Sequence, residues 1–332
     1  MKAILSHAPG DASTLVLDDA PDPAPAAGEV LIGVHACGVN YLDTLIIADK
    51  YQTRPLRPFS PGAEMAGVVL AAGPGVTHVH AGDRVVGWHI CGGMAEKALL
   101  RAENCVTLPD TVAFDIAASL VLAYGTSLHA LRDRARLCAG ETVLVLGAAG
   151  GVGLAAVELA KHMGARVIAA CSSQEKLDVV LAHGADAGLI YPSGVLTKEQ
   201  ARGFTDAVKH AAPSGVNVIY DPVGGDFAEA TVRAMAWDGR YLVVGFAGTV
   251  PKLPLNLLLL KNASAIGVYW GGVMDRDPTA YATYANALLR LVEDGAIKPT
   301  IFARFPLARA REAIETLSAR KVIGKVVVQP TL

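Results

Sequence analysis

The spacing of apolar positions changes character along the chain. Up to about residue 120 they come in short runs of strand length, "KAILS", "TLVLDD", "EVLIGVHACGV", "EMAGVVLAAG", "DRVVGW" and "MAEKALL", punctuated by Gly and Pro. Runs of this length between turn residues predict a compact β unit with few helices. The Pro/Ala-rich "DDAPDPAPAAGE" is too short for a linker and is expected to be an ordered surface crossing. From about Phe114 the period lengthens, and "FDIAASLVLAYGTSLHALRDRARL" carries helical apolar spacing. Strands are then predicted at 142–147, 166–171, 188–191, 216–221, 240–246 and 264–270, alternating with helices. Such alternation predicts an α/β fold with a doubly wound parallel sheet. The tail adds a helix over "DPTAYATYANALLRLVEDG" and a terminal strand in "KVIGKVVVQP".

Where the first of these parallel strands ends, the sequence breaks into glycines: "VLVLGAAGGVGLAAVELAKHMGARVIAACSS", residues 143–173. A strand-to-helix turn is predicted at 147–153, followed by a helix over 154–163. The missing Cβ atoms of Gly150 and Gly151 let backbone approach a ligand, and Gly153 lets the helix lie near the strand. The helix start, at Gly150, Gly151 and Val152, offers N–H groups and a positive dipole end to an anion such as a pyrophosphate. Ala148 stands at the first position of the usual glycine fingerprint, and glycines here also serve packing alone. The preceding strand, the helix and the next strand at 166–171 favour dinucleotide binding.

Length and composition narrow the class. A chain of 332 residues exceeds what one core usually serves, so two domains are expected. A hydrophobic fraction of 52%, a charged fraction of 18% and a net charge of -2 describe a compact enzyme without a field for nucleic acid or anionic membrane. Five scattered cysteines with no CxxC pair suggest free thiols in a reducing compartment. The start lacks the apolar stretch of a signal peptide, and "LPLNLLLLKNASAIGVYW" is broken by Asn256, Lys261 and Asn262, so a cytoplasmic protein with no membrane span is expected.

Several motifs in order, "GVNYLDTLIIADKYQTRPLRPFSPGAEMAGVV", "AYGTSLHAL", "VLVLGAAGGVGLAAVELAK", "VIYDPVGG" and "GKVVV", resemble the zinc-free quinone oxidoreductase branch, zeta-crystallin-like, of the medium-chain dehydrogenases/reductases. The resemblance covers essentially the whole chain. It implies a GroES-like β-barrel domain at 1–122 and 271–332 and a Rossmann NADP(H)-binding domain at 123–270. In the zinc alcohol dehydrogenases a Cys and a His bind the catalytic metal where this chain has Asn40 and Ala63, which supply neither thiolate nor imidazole, and the four-cysteine lobe is missing. No metal is therefore expected. His78 and His80, on an exposed turn, are read as a solvated pair.

The resemblance also bears on cofactor choice. NAD-preferring Rossmann domains end the second strand in an acid that accepts from the ribose 2′-OH, and here Cys171 holds that place. Ser172 and Ser173 can donate hydrogen bonds and Lys176 carries a positive charge, which favours NADPH. Ser173 as an N-cap and Lys176 as a solvated helix residue are compatible with that reading. By resemblance Lys176 and Tyr191 contact the 2′-phosphate, and Gly245, Phe246, Val268 and Tyr269 line the cofactor further along. Asn40 and Thr126 approach the nicotinamide, and Lys325 the pyrophosphate. Thr126 is equally readable as a helix-start hydroxyl and Phe246 as core packing.

Without a metal, the hydride acceptor must itself be electrophilic: a quinone, an enone or enal, or an enoyl thioester. The protein then aligns the nicotinamide with it and donates hydrogen bonds to the oxygen that gains charge. Tyr51 is a candidate donor, or else a packed loop aromatic, and Asn40 is a second candidate. A 2-enoyl-CoA reductase is the alternative enzyme, with Arg54, Arg57, Lys252 or Lys261 as phosphate binders or plain surface charges. A non-catalytic NADPH- or RNA-binding protein is the alternative from another class. A homodimer, or a tetramer of paired dimers, is expected through the apolar "SAIGVYWGGV" edge.

Overall fold

The computed structural model describes residues 1–330 apart from Ser193 and Pro278. The chain opens with strands β1 (Lys2–Ser6), β2 (Leu15–Asp19) and β3 (Glu29–Val39), helix α1 (Tyr41–Ile47), and strands β4 (Glu64–Ala72), β5 (Arg84–Trp88), β6 (Lys97–Arg101) and β7 (Cys105–Thr107). Helices α2 (Phe114–Ala117) and α3 (Ala123–Leu128) lead to the alternating region: β8 (Thr142–Leu146), α4 (Gly151–His162), β9 (Arg166–Cys171), α5 (Gln174–Ala182), β10 (Ala187–Ile190), α6 (Lys198–Ala211) and β11 (Val216–Asp221). It continues through α7 (Phe227–Val232), β12 (Met235–Val243), α8 (Leu255–Leu260) and β13 (Ser264–Gly267). The tail holds α9 (Trp270–Arg276), α10 (Ala280–Glu293), β14 (Ile301–Pro306), α11 (Ala310–Ser318) and β15 (Lys325–Gln329).

The residues form two compact units, Met1–Leu122 with Gly272–Leu332, and Ala123–Gly271. In the first, a sheet of order β14-β15-β3-β4-β5-β7, with β6 also on β3, encloses a core that includes Ile4, Leu15, Ile32, Met65, Leu100 and Val328. Along β3 the buried residues Val30, Ile32 and Val34 alternate with half-buried ones, as a period of two requires of a strand with one inward face. The tail strand β15 runs antiparallel to the end of β3, with Val326 opposite Val39. That pairing sets Lys325 beside the residue that follows β3, Asn40.

The second unit is a parallel sheet of order β10-β9-β8-β11-β12-β13. Its inner strands β8, β9 and β11 are buried almost throughout, which is why they read as continuous apolar runs without alternation. The chain order reverses between β8 and β11, and in such sheets ligands bind beyond the carboxyl ends of the strands at that point.

Several expected boundaries move. The helix after the glycine turn starts at Gly151, not Leu154, because the glycines Gly151 and Gly153 themselves take helical geometry. β12 begins at Met235 and stops at Val243, which leaves Gly245 and Phe246 in the following loop. β13 stops at Gly267 because its ladder to β12 ends with Val243, and Trp270 opens a helix. The long helical stretch from Phe114 is divided into α2, α3 and a wider π-helical turn at His129–Arg134. The tail contains β14 and α11 besides the expected helix and strand, and Pro278, at the start of that expected helix, lies outside the described residues.

Candidate active site

In the second unit the glycine turn is built by steric necessity. Gly147 leaves β8 at φ +57°, and a Cβ there would stand 2.9 Å from Cγ2 of Val223. A Cβ on Gly153 would stand 2.2 Å from the carbonyl oxygen of Gly147, so this glycine serves helix-on-strand packing. Gly150 is different: its φ is -73°, and a Cβ would meet only Gly147 O at 3.4 Å. The Gly150 N–H donates to Gly147 O at 3.0 Å. Gly151 and Val152 are first-turn positions of α4, whose N–H groups have no preceding carbonyl within the helix to accept them.

Next to this turn, at the ends of β9 and β10, stand the residues expected to read the ribose substituent. Cys171 is buried, and burial pushes its thiol up to about 11, so it is uncharged at neutral pH. Lys176 Nζ donates to Ser172 Oγ at 3.3 Å, while the Lys176 N–H donates to Ser173 Oγ at 3.4 Å. Ser173 is thus the N-cap of α5, and the Lys176 side chain returns to Ser172 at the strand end. The Tyr191 N–H donates to Cys171 O at 2.9 Å, and its ring lies 4.7 Å from that of Phe227. Gly245 and Phe246 follow β12, and Val268 and Tyr269 follow β13; Phe246 and Tyr269 are exposed, and Val268 is buried. Thr126 is half-buried in α3.

In the first unit Asn40 and Lys325, 285 residues apart, meet over Glu64. Lys325 Nζ donates to Asn40 Oδ1 at 2.5 Å and lies 3.3 Å from Glu64 Oε2. Asn40 Nδ2 donates to Gly38 O at 3.1 Å and to Glu64 Oε2 at 3.2 Å. An ammonium can only donate, so it identifies the near end of the amide as oxygen. Both amide hydrogens of Asn40 are engaged, and its Oδ1 accepts from Lys325. Glu64 Oε1 accepts the Leu122 N–H at 2.8 Å. Behind Asn40 lies Asp43, whose carboxylate accepts the N–H groups of Asn40 at 2.7 Å and Gly62 at 3.2 Å. Burial raises Asp43 to about 6. Lys325 is itself buried in this cluster, its ammonium committed to Asn40 and Glu64.

Of the other expected residues, Tyr51 packs against the core of the first unit beyond α1. His78 Nε2 is 2.9 Å from Ala102 O, whereas His80 is exposed beside Asp83. Arg57 is tied to Asp49 at 2.8 Å, and Lys261 donates to Met235 O at 2.6 Å. Asp43 and Asp221, each buried with a carboxyl group that accepts backbone N–H groups, were not singled out from the sequence; for Asp221 the available signal was an apolar strand closing in Asp ahead of Pro and paired glycines in "VIYDPVGG".

Comparison with known proteins fits this geometry. Residues 26–110 match the alcohol dehydrogenase GroES-like domain and residues 151–292 the zinc-binding dehydrogenase model. The chain is 41% identical over 301 residues to quinone oxidoreductase-like protein 2 of Rattus norvegicus, covering 90% of this chain and 84% of that one. It is 33% identical to quinone oxidoreductase of Homo sapiens, covering 89% and 87%. The chain belongs to the quinone oxidoreductase family. Among solved relatives, Escherichia coli quinone oxidoreductase complexed with NADPH superposes with a TM-score of 0.89 at 27% identity, covering 99% of this chain and 100% of that one. A mycobacterial protein complexed with NADPH gives 0.91 at 33% identity, with the same coverage. As in that fold family, the first unit is GroES-like and the second a Rossmann sheet. Part of the chain is matched by a zinc-binding model, yet Asn40 and Ala63 offer neither thiolate nor imidazole.

Proposed function

We propose that this oxidoreductase uses NADPH to reduce a quinone or another conjugated carbonyl compound without a metal. The observation that carries the reading is the end of β9: an uncharged Cys171 where an acid would repel phosphate, with Ser172, Ser173 and Lys176 gathered beside it. The residues fit the cofactor, since the Cβ-free side of Gly150 leaves room for a pyrophosphate and α4 directs N–H groups toward it. Gly151 and Val152 hold the pyrophosphate, and Ser172, Ser173, Lys176 and Tyr191 hold the 2′-phosphate. Thr126, Gly245, Phe246, Val268 and Tyr269 bound the remainder. NADPH, when bound, supplies the hydride.

The chain's own residues then orient and exclude. Lys325 and Glu64 fix the amide of Asn40, and with both its hydrogens engaged it is poorly suited to donate to an oxygen gaining negative charge. Nothing at Asn40 or Ala63 provides a Lewis acid, so the acceptor must be polarised by its own conjugation. Arg57 and Lys261 are engaged within the chain whereas Arg54 and Lys252 are exposed, so an enoyl-CoA stays among the acceptors to be tested. The reading includes pairing of two copies along the open edge of β13, next to the exposed Leu255 and Leu259 of α8, which light scattering checks as a dimer mass. The direct test is a panel of quinones, enones, enals and enoyl-CoA with chelator-treated protein, followed by NADPH absorbance. Turnover with a quinone or enone at an undiminished rate is expected. Loss of turnover on chelation, restored by zinc, contradicts the reading.

A further inference from the structure

Asp221, the last residue of β11, is buried, and each of its oxygens is engaged. Oδ1 accepts the N–H groups of Val223 at 2.7 Å and Gly224 at 2.8 Å, and Oδ2 accepts the hydroxyl of Tyr241 from the neighbouring strand β12. Its carbonyl oxygen accepts from Val244 at 3.0 Å and Gly245 at 3.3 Å. The turn that the carboxylate holds runs through Gly224 and Gly225 at φ +71° and +64°, conformations that side chains other than glycine rarely take. This turn is stitched to the 244–249 loop by Ala247 N–H to Pro222 O at 3.1 Å, Gly248 N–H to Val223 O at 2.8 Å and Gly225 N–H to Thr249 O at 2.8 Å. On its other side, Val223 Cγ2 lies against Gly147, at the root of the glycine turn.

One buried carboxylate thus shapes the backbone beyond β11 and β12, on one side of the reversal in strand order. The residues that face a 2′-phosphate lie beyond β9 and β10, on the other side. A dinucleotide lies across such a reversal with its two mononucleotide halves on opposite sides. We propose that Asp221 is a positioning residue for the nicotinamide half of the bound dinucleotide, fixing the 223–225 turn and, through it, the 244–249 loop. The proposal rests on the NADPH reading above. Asp221 touches no ligand; it acts through Val223, Gly245 and Phe246.

The test is equilibrium binding of NADPH and of adenosine 2′,5′-bisphosphate, which carries the adenosine half alone, at fixed salt. Asp221→Ala leaves two N–H groups and a tyrosine hydroxyl without their acceptor, and NADPH binding is expected to weaken about tenfold or more. Binding of the bisphosphate should stay within about twofold, a split that general destabilisation does not produce. Asp221→Asn keeps an acceptor for the two N–H groups and an amide that can donate to the tyrosine oxygen, so it should recover most of the lost affinity. Equal weakening of both ligands, or unchanged NADPH affinity, in Asp221→Ala overturns the proposal. If that variant does not fold, Tyr241→Phe is expected to show the same split at smaller amplitude, and wild-type affinity for NADPH there overturns it. Wild-type protein that binds neither ligand overturns the cofactor assignment itself, and the proposal with it.

Discussion

At the scale of single residues, Asp43 carries a proton-linked cost. Its ordinary value is 3.8, and burial in the folded chain raises it to about 6. Between those values the folded state holds a proton that the unfolded chain has released, so this group's contribution to stability falls as pH rises from about 4 to about 6. A shift of about two units corresponds to about 3 kcal/mol, present below the window and lost above it. Asp43→Asn removes the titration, and urea unfolding at closely spaced pH values should show a shallower decline across the window than in wild type. Parallel pH curves for the two proteins would contradict this assignment. Asp43 stands three residues after Asn40 and looks from sequence like any first-turn acid of a short helix. Its environment is set by Gly62, Glu64 and Lys325, which only the folded chain brings near.

At the scale of elements, the glycine turn separates two reasons for having no side chain. Gly153→Ala would press a methyl into Gly147 O and Ala148 Cα, 2.2 and 2.8 Å from the new atom, and should destabilise by about 1–3 kcal/mol or more. Gly150→Ala meets ordinary contact inside the protein and should melt close to wild type. On the ligand side, however, the methyl occupies the space expected for the pyrophosphate, so NADPH binding should weaken by about tenfold or more. Calorimetry paired with NADPH titration checks both, and a Gly150→Ala variant binding like wild type would contradict the role given to Gly150. These glycines were legible because their spacing lies within one strand-turn-helix, as were the apolar runs of β8, β9 and β11. The end of β13 was not, because "GVYW" continues the apolar run while the ladder that defines the strand ends where β12 does, at Val243. Likewise the Asn40–Lys325 contact depends on β15 pairing with β3, a long-range register that local pattern does not encode.

At the scale of the whole molecule, the discontinuous first unit and the inserted parallel sheet divide the work. The sheet gathers the residues proposed to face the cofactor at its strand ends, while in the first unit Lys325 and Glu64 hold the amide of Asn40. The motifs that resembled the quinone oxidoreductases lie in both units, which is why the family was legible along the chain. What ties these parts to the proposed function is the corner at Cys171, Ser172, Ser173 and Lys176, which we propose reads a 2′-phosphate. The most direct measurement is the ratio of NADPH to NADH dissociation constants for wild type and Lys176→Ala at one low ionic strength, where screening is least. A hydrogen bond to a charged group contributes about 1.5 to 3 kcal/mol, so wild type should prefer NADPH and Lys176→Ala should lose about ten- to a hundred-and-fifty-fold in NADPH affinity while NADH binding hardly changes. Wild-type protein that binds both cofactors alike, or a variant that weakens both equally, would contradict the account.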